Sequence, residues 1–295
     1  MLVETAIGDA VGVCCEYADE NIPEMLKLDH YVQHPSHTGL KPGMFSDDTQ
    51  MSVAVAEAIV EKLPWTKEAL AQKFVDVFKR DYRDGYSRKF QKLLEEVKDG
   101  PELLSRLIPD SDKSGGAMRA GPCGIFSDET KVVDRAVLQA SITHNTPAGM
   151  AAAAAAALMT HYFLYEKGPK DKLGEYLNVW VPGLPVGRNP EALPVNTNWM
   201  EPWTGKVKAQ GWMSVRAAIT TIQTHDSLSE ILKAAVGFSG DVDTVGAIAM
   251  SAASCAKDIK QDLPEILKYN LEHSKYGLQF LIELDSKLLA LKGVV

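Results

Sequence analysis

Apolar residues recur along most of the chain at the spacing of one helical face. In 49–62 the stripe is Val53, Ala56, Ile59 and Val60, closed by Pro64. Similar patterns predict helices over 66–79, 87–98, 131–143, 147–165, 211–224 and 227–237, with two more near 263–271 and 276–291. Thr66 is placed to cap the second of these. An apolar run over 6–17 contains Gly8, Asp9, Gly12 and Glu16. Gly8 and Gly12 lie one turn apart and suit a close helix crossing; Asp9 or Glu16 is a candidate to face a polar cavity. Strand patterns are nearly absent. The expectation is therefore an all-α fold, one compact multi-helix domain over 1–295, with helix ends gathered at a common mouth. Two breaker-rich stretches, 21–43 and 181–206, read as loops, the second (with Trp199 and Trp203) as a rim over a pocket.

One segment imitates a membrane span. From Ala136 to Tyr165 there is no Asp, Glu, Lys or Arg. Its centre is alanine, however, and His144, Asn145, Pro147 and His161 interrupt it, so a buried core helix fits better.

Composition narrows the function classes. The 295 residues carry a net charge of -8, with no Lys/Arg-rich run, which argues against nucleic acid as a partner. Four cysteines (Cys14, Cys15, Cys123, Cys255) form no Cys-x-x-Cys pair, and the first residues show no basic-then-apolar leader. The expectation is a cytoplasmic protein with reduced thiols and no membrane attachment, its oligomeric state open.

Two short motifs carry the chemistry. Ser46-Asp47-Asp48-Thr49 stands at the start of one predicted helix, and Gly240-Asp241-Val242-Asp243-Thr244 at the start of another. Taken alone, either is an ordinary helix cap. Together they offer four carboxylates and the hydroxyls of Ser46 and Thr244, with Glu16 as a further donor. An all-oxygen set suits Mg²⁺ or Mn²⁺ and not Zn²⁺ or Cu²⁺. So many acids at one mouth repel each other unless cations neutralise them, which makes two ions easier to rationalise than one. Between the motifs, Gly115-Gly116 with Arg119 resembles a phosphate cradle, and His144 sits at a helix junction.

The ordered set resembles the ADP-ribosylglycohydrolase family, which includes the dinitrogenase reductase-activating glycohydrolases. The resemblance rests on Gly8-Asp9-Ala10-Val11-Gly12 with Glu16, Ser46-Asp47-Asp48-Thr49, Ser114-Gly115-Gly116-Ala117-Met118-Arg119, Thr143-His144 and Gly240-Asp241-Val242-Asp243-Thr244. It implies hydrolysis of the bond between the terminal ribose of ADP-ribose and an acceptor, a protein arginine or serine or a small ADP-ribosyl conjugate. It also implies a binuclear Mg²⁺ or Mn²⁺ centre held by Ser46, Asp47, Asp48, Asp241, Asp243 and Thr244. Asp48 and Glu16 are the implied proton-handling carboxylates, Glu16 as ligand or gate. Gly115, Gly116, Ala117, Met118, Arg119 and His144 are the implied ADP-ribose contacts, with Phe45 or Tyr86 as the aromatic under adenine. This chain departs from the family pattern at Ser114-Gly115-Gly116, where Gly-Asn-Gly is common, and at Ser239 and Val242. Competing readings are a non-catalytic relative and an all-α nucleotide phosphohydrolase. The latter wants a Glu-x-x-Glu or His-Asp pair, which Glu95-Glu96 and His225-Asp226 do not supply.

Overall fold

A computed structural model describes residues 1–181 and 198–295. Among them, fourteen α-helices and no β-strand are found. In order they are α1 (Leu2–Val13), α2 (Ile22–Met25), α3 (Asp47–Val60), α4 (Lys67–Arg80), α5 (Arg88–Glu96), α6 (Gly100–Arg106), α7 (Glu129–Ala140) and α8 (Pro147–Leu164). There follow α9 (Leu173–Trp180), α10 (Gly211–Thr224), α11 (Leu228–Gly237), α12 (Val242–Ala253), α13 (Glu265–Tyr269) and α14 (Leu278–Leu289). The fold is all-α, as the periodicity implies.

The alanine-rich α8 runs through the centre, with every one of its residues buried and α7, α10 and α12 around it. Alanine lets these neighbours approach closely, so the segment without charge is core. No helix among the described residues is long and apolar enough to cross a membrane. The four cysteines are free thiols, and three of them are buried.

The closest crossing joins α1 to α12. A Cβ on Gly8 would lie 2.4 Å from the Gly246 carbonyl oxygen, and one on Gly12 would lie 2.3 Å from Asp243 Cα. The two glycines therefore hold the start of α12, with its carboxylates, against α1. Gly12→Ala must push these backbones apart. Its expected cost is about 1–3 kcal/mol of overpacking strain, with a loss of activity as Asp243 shifts; thermal melting and turnover check both.

The loop expected over 21–43 contains the short α2, which opens with Pro at its second position. Two further helices were not legible as such. α6 begins Gly-Pro, which reads as a breaker. Here Asp99 caps it by accepting the Glu102 N–H (2.9 Å), and Gly100 is demanded because a Cβ would sit 2.3 Å from the Gln72 nitrogen of α4. α9 is eight residues long and follows a charged, Gly- and Pro-containing stretch that masks it. In the proposed rim over 181–206, residues 182–197 lie outside the described part. Trp199 is buried, and Trp203 packs edge-on against Trp212 of α10 at 5.8 Å; neither lines the cleft described below.

Candidate functional site

The N-termini of α3 and α12 converge where α1 ends. Ser46 is the N-cap of α3, with its backbone extended and its Oγ accepting weakly from the Asp48 N–H (3.4 Å). A second cap comes from outside the helix. Asp9, fully buried on α1, accepts the Ser46 N–H (3.0 Å), the Ser46 hydroxyl (2.8 Å), the Thr49 N–H (2.9 Å) and the Thr49 hydroxyl (2.6 Å). This explains an aspartate inside an apolar helix: it satisfies donors that α3 leaves unpaired at its start. Asp9 thus clamps the loop and does not face a polar cavity. Burial pushes its carboxyl up, and the hydrogen bonds from Thr49 and Ser46 pull it back.

The remaining carboxylates do face a cavity. A cleft of about 710 Å³ is lined in part by Glu16, Asp47, Asp48, Asp241, Asp243 and Thr244. Donor oxygens of Glu16, Asp241 and Asp243 all lie within 4.8 Å of one another. Asp48 Oδ2 and Asp243 Oδ1 are buried and accept no hydrogen bond. Carboxylate oxygens left unpaired in this way are costly, and a hard cation is the partner whose charge and ligand preference answer them. The donor set fits a divalent-metal centre on that observation. Asp47, Asp48 and Asp243 are raised well above the usual carboxylate range, and Asp241 is pushed up to about 7. Burial is the first cause in each case, and mutual repulsion the second. The partial positive charge at the two helix N-termini favours the same carboxylates.

Supporting contacts that sequence reading missed hold this group together. The Ser214 hydroxyl of α10 donates to Asp241 Oδ2 at 3.1 Å. Gly85, with φ +125°, lies under Asp47: a Cβ there would sit 2.3 Å from Asp47 Oδ1. The Arg-Asp-Gly turn before α5 signalled a bend, not this contact. His37 Nε2 lies 3.3 Å from Glu16 Oε2, which raises the imidazole toward its charged form, through that hydrogen bond first.

The glycine turn and Thr143-His144 line the same cleft. Ser114–Gly116 is a single 3₁₀ turn and does not open an α-helix. Gly115 lies against the His144 ring, where a Cβ would come within 2.9 Å of Cε1. Burial pushes His144 down to about 3, so its imidazole is neutral. Gly115, Met118, Arg119 and His144 line the cleft; Gly116 and Ala117 do not. Ser46 is also absent from the lining, its hydroxyl turned to Asp9.

One expectation is corrected. Phe45 is 1% exposed, stacked under the Arg83 guanidinium at 3.8 Å, and takes no part in the cleft. Arg119 lines the cleft, with Nε and Nη2 held by Gln139 and Thr143 and the Phe74 ring under its guanidinium, while Nη1 makes no hydrogen bond among the described residues. Tyr86 does line the cleft, with its hydroxyl donating to Gln50 and its ring between Phe78 and Phe90. Phe90 and Leu93 of α5 and the exposed Ile108 add an apolar wall that the sequence reading did not name.

Comparison with known proteins agrees with this geometry. The family model described as ADP-ribosylglycohydrolase matches residues 1–292. The ADP-ribosyl-dinitrogen reductase glycohydrolase of Rhodospirillum rubrum is 24% identical over 88% of this chain and 84% of its own length. The ADP-ribosylhydrolase ARH3 of Gallus gallus is 26% identical over 60% of this chain and 52% of its own. A solved structure titled ADP-ribosylglycohydrolase-related protein complex superposes with a TM-score of 0.69 at 19% identity, covering 99% of this chain and 95% of that one. A match across nearly the whole chain, on a fold of the same kind, means that this protein belongs to the ADP-ribosylglycohydrolase family.

Proposed function

We propose that the protein hydrolyses the glycosidic bond between ADP-ribose and an acceptor, with two divalent cations, Mg²⁺ or Mn²⁺, as cofactors. The acceptor is an arginine or serine side chain of a modified protein, or a small ADP-ribosyl conjugate. The observation that carries this reading is one cleft with two chemistries. Five carboxylates, two with buried unpaired oxygens, line it together with a glycine turn and a neutral histidine. A nucleoside diphosphate sugar suits the volume of such a cleft.

Asp47, Asp48, Asp241, Asp243 and Thr244 would hold the cations, with Glu16 beside them. When bound, such ions supply a polarised water and a grip on sugar hydroxyls. Glu16 and Asp48 are the carboxylates placed to take and return a proton, since both line the cleft and Asp48 Oδ2 is otherwise unpaired. Asp9 keeps Ser46 and Thr49 fixed so that Asp47 and Asp48 do not wander. Phe90 and Tyr86 are the aromatic groups available to a base, replacing Phe45 in that role.

Release of free ADP-ribose from matched arginine-linked and serine-linked peptides tests this, with Mg²⁺, with Mn²⁺ and with EDTA. The expected result is release from one peptide with metal and none with EDTA. ADP-ribose binding in calorimetry without release from any conjugate would instead favour a non-catalytic relative. Neither release nor binding would overturn the assignment.

A further inference from the structure

Arg119 is a buried cation with an unusual set of partners. It is 1% exposed, and no carboxylate lies within 4.0 Å of it among the described residues. Its Nε donates to Gln139 Oε1 (2.6 Å), and its Nη2 donates to the Gln139 carbonyl (3.0 Å) and to Thr143 Oγ1 (2.8 Å). Gln139, itself fully buried, passes the constraint on by donating from Nε2 to the Gly116 carbonyl at 2.9 Å. Thr143 Oγ1 in turn lies 2.6 Å from His144 Nδ1. One guanidinium therefore braces two parts of the cleft lining, the glycine turn through Gln139 and the imidazole through Thr143.

The direction of the last bond follows from counting protons. Thr143 has one hydroxyl hydrogen, and its oxygen already accepts from Arg119. If His144 Nδ1 donated to the same oxygen, the Thr143 hydrogen would have no acceptor, since the hydroxyl makes no other hydrogen bond. If Thr143 donates to Nδ1, both the Thr143 hydroxyl and the imidazole Nδ1 are paired. The guanidinium also polarises the hydroxyl toward donation. The imidazole proton then sits on Nε2, which makes no hydrogen bond within the described residues and belongs to a ring that lines the cleft beside Gly115.

We infer that Arg119 is a positioning residue: through Thr143 it sets the tautomer and aim of His144, which presents Nε2–H to an anionic oxygen of the bound nucleotide. This rests on the ADP-ribose reading for the ligand, but not for the tautomer.

The test pairs a spectroscopic readout with binding. In ¹⁵N-histidine-labelled protein at neutral pH, with His144 assigned by H144Q, the ring is expected as the Nε2–H tautomer. Thr143→Val is expected to lose that fixed tautomer, to weaken ADP-ribose binding about tenfold, and to place the loss in KM more than in kcat. Thr143→Ser, which keeps the hydroxyl, should restore both signals. An Nδ1–H tautomer in the wild type overturns the inference, as does wild-type ADP-ribose affinity in Thr143→Val. If the wild type itself binds no ADP-ribose, the functional reading falls, while the tautomer measurement still decides the relay.

Discussion

Asp241→Asn lowers turnover by about a thousandfold or more while making the metal-free protein more stable. The first half follows from charge. In the proposed centre Asp241 would supply one of the carboxylates that neutralise the cations, and metal-dependent stabilisation of the reacting oxygens is worth several kcal/mol, at about 1.4 kcal/mol per tenfold in rate. The second half follows from the same charge without the metal. Burial, and then repulsion from Glu16, pushes Asp241 up to about 7. The unfolded chain holds this proton only below about 4, so between pH 4 and 7 the folded state binds more protons. Stability therefore falls as pH rises through that window. Asparagine has the same shape, still accepts from the Ser214 hydroxyl, and carries no charge to bury. Its advantage over wild type in EDTA should be small near pH 4 and grow to the order of 4 kcal/mol by pH 8, three pH units at about 1.4 kcal/mol each. Added Mg²⁺ or Mn²⁺ should reverse the order, raising the melting temperature of the wild type far more than that of the variant. Wild-type turnover by Asp241→Asn would show that the metal centre is not where the carboxylates place it. An EDTA-state stability that did not respond to the substitution would remove the repulsion argument.

What the sequence revealed depends on how local each cause is. The α10 helix falls at Gly211–Thr224, as its periodicity dictates, and α3 begins at Asp47, within two residues of the expected start. Both are set by neighbouring residues: an apolar stripe and a cap. Gly8 and Gly12 were readable as a close crossing because their spacing alone puts them on one helix face. That Asp47, Asp48, Asp241 and Asp243 share one cleft was readable because the two acidic motifs both stand at helix starts, which an all-α fold can gather at one mouth. Asp9, Arg119 and Phe45 were not, because their roles are decided by partners 37, 24 and 38 positions away in sequence. An aspartate that caps a foreign helix, an arginine that braces a threonine and a phenylalanine roofed by a guanidinium look the same, in a string of letters, as a ligand, a phosphate clamp and a rim aromatic.

Arg83→Met should destabilise the protein by about 3–5 kcal/mol, the range for removing one member of a buried ion pair. Arg83 is 2% exposed, and all five of its N–H donors are used. Nε and Nη2 reach Asp81 Oδ2 at 2.9 and 2.7 Å; Nη1 and Nη2 reach the two Glu272 oxygens; Nη1 also donates to the Phe45 carbonyl at 2.9 Å. The guanidinium plane covers the Phe45 ring. Methionine keeps much of the volume but leaves Glu272, whose side chain is 9% exposed, as an uncompensated buried charge. A second substitution separates this cost from lost packing. Arg83→Met combined with Glu272→Leu should recover a large part of the loss, because replacing both partners removes the orphaned charge. Urea unfolding of the two variants measures the difference; a loss in Arg83→Met below about 1 kcal/mol would make the pair equivalent to a surface contact. The consequence reaches function because Phe45 immediately precedes the cap and the two carboxylates of α3. Glu272 also ties this segment from the other side, through its N–H to the Gly43 carbonyl at 2.9 Å. With the strut gone, the loop that aims Asp47 and Asp48 is held less firmly, by Asp9 and the Glu272 backbone, and half-maximal activity should require more metal. A raised metal requirement in Arg83→Met, with kcat at saturating metal less affected, would show that the network acts by holding the ligands in place.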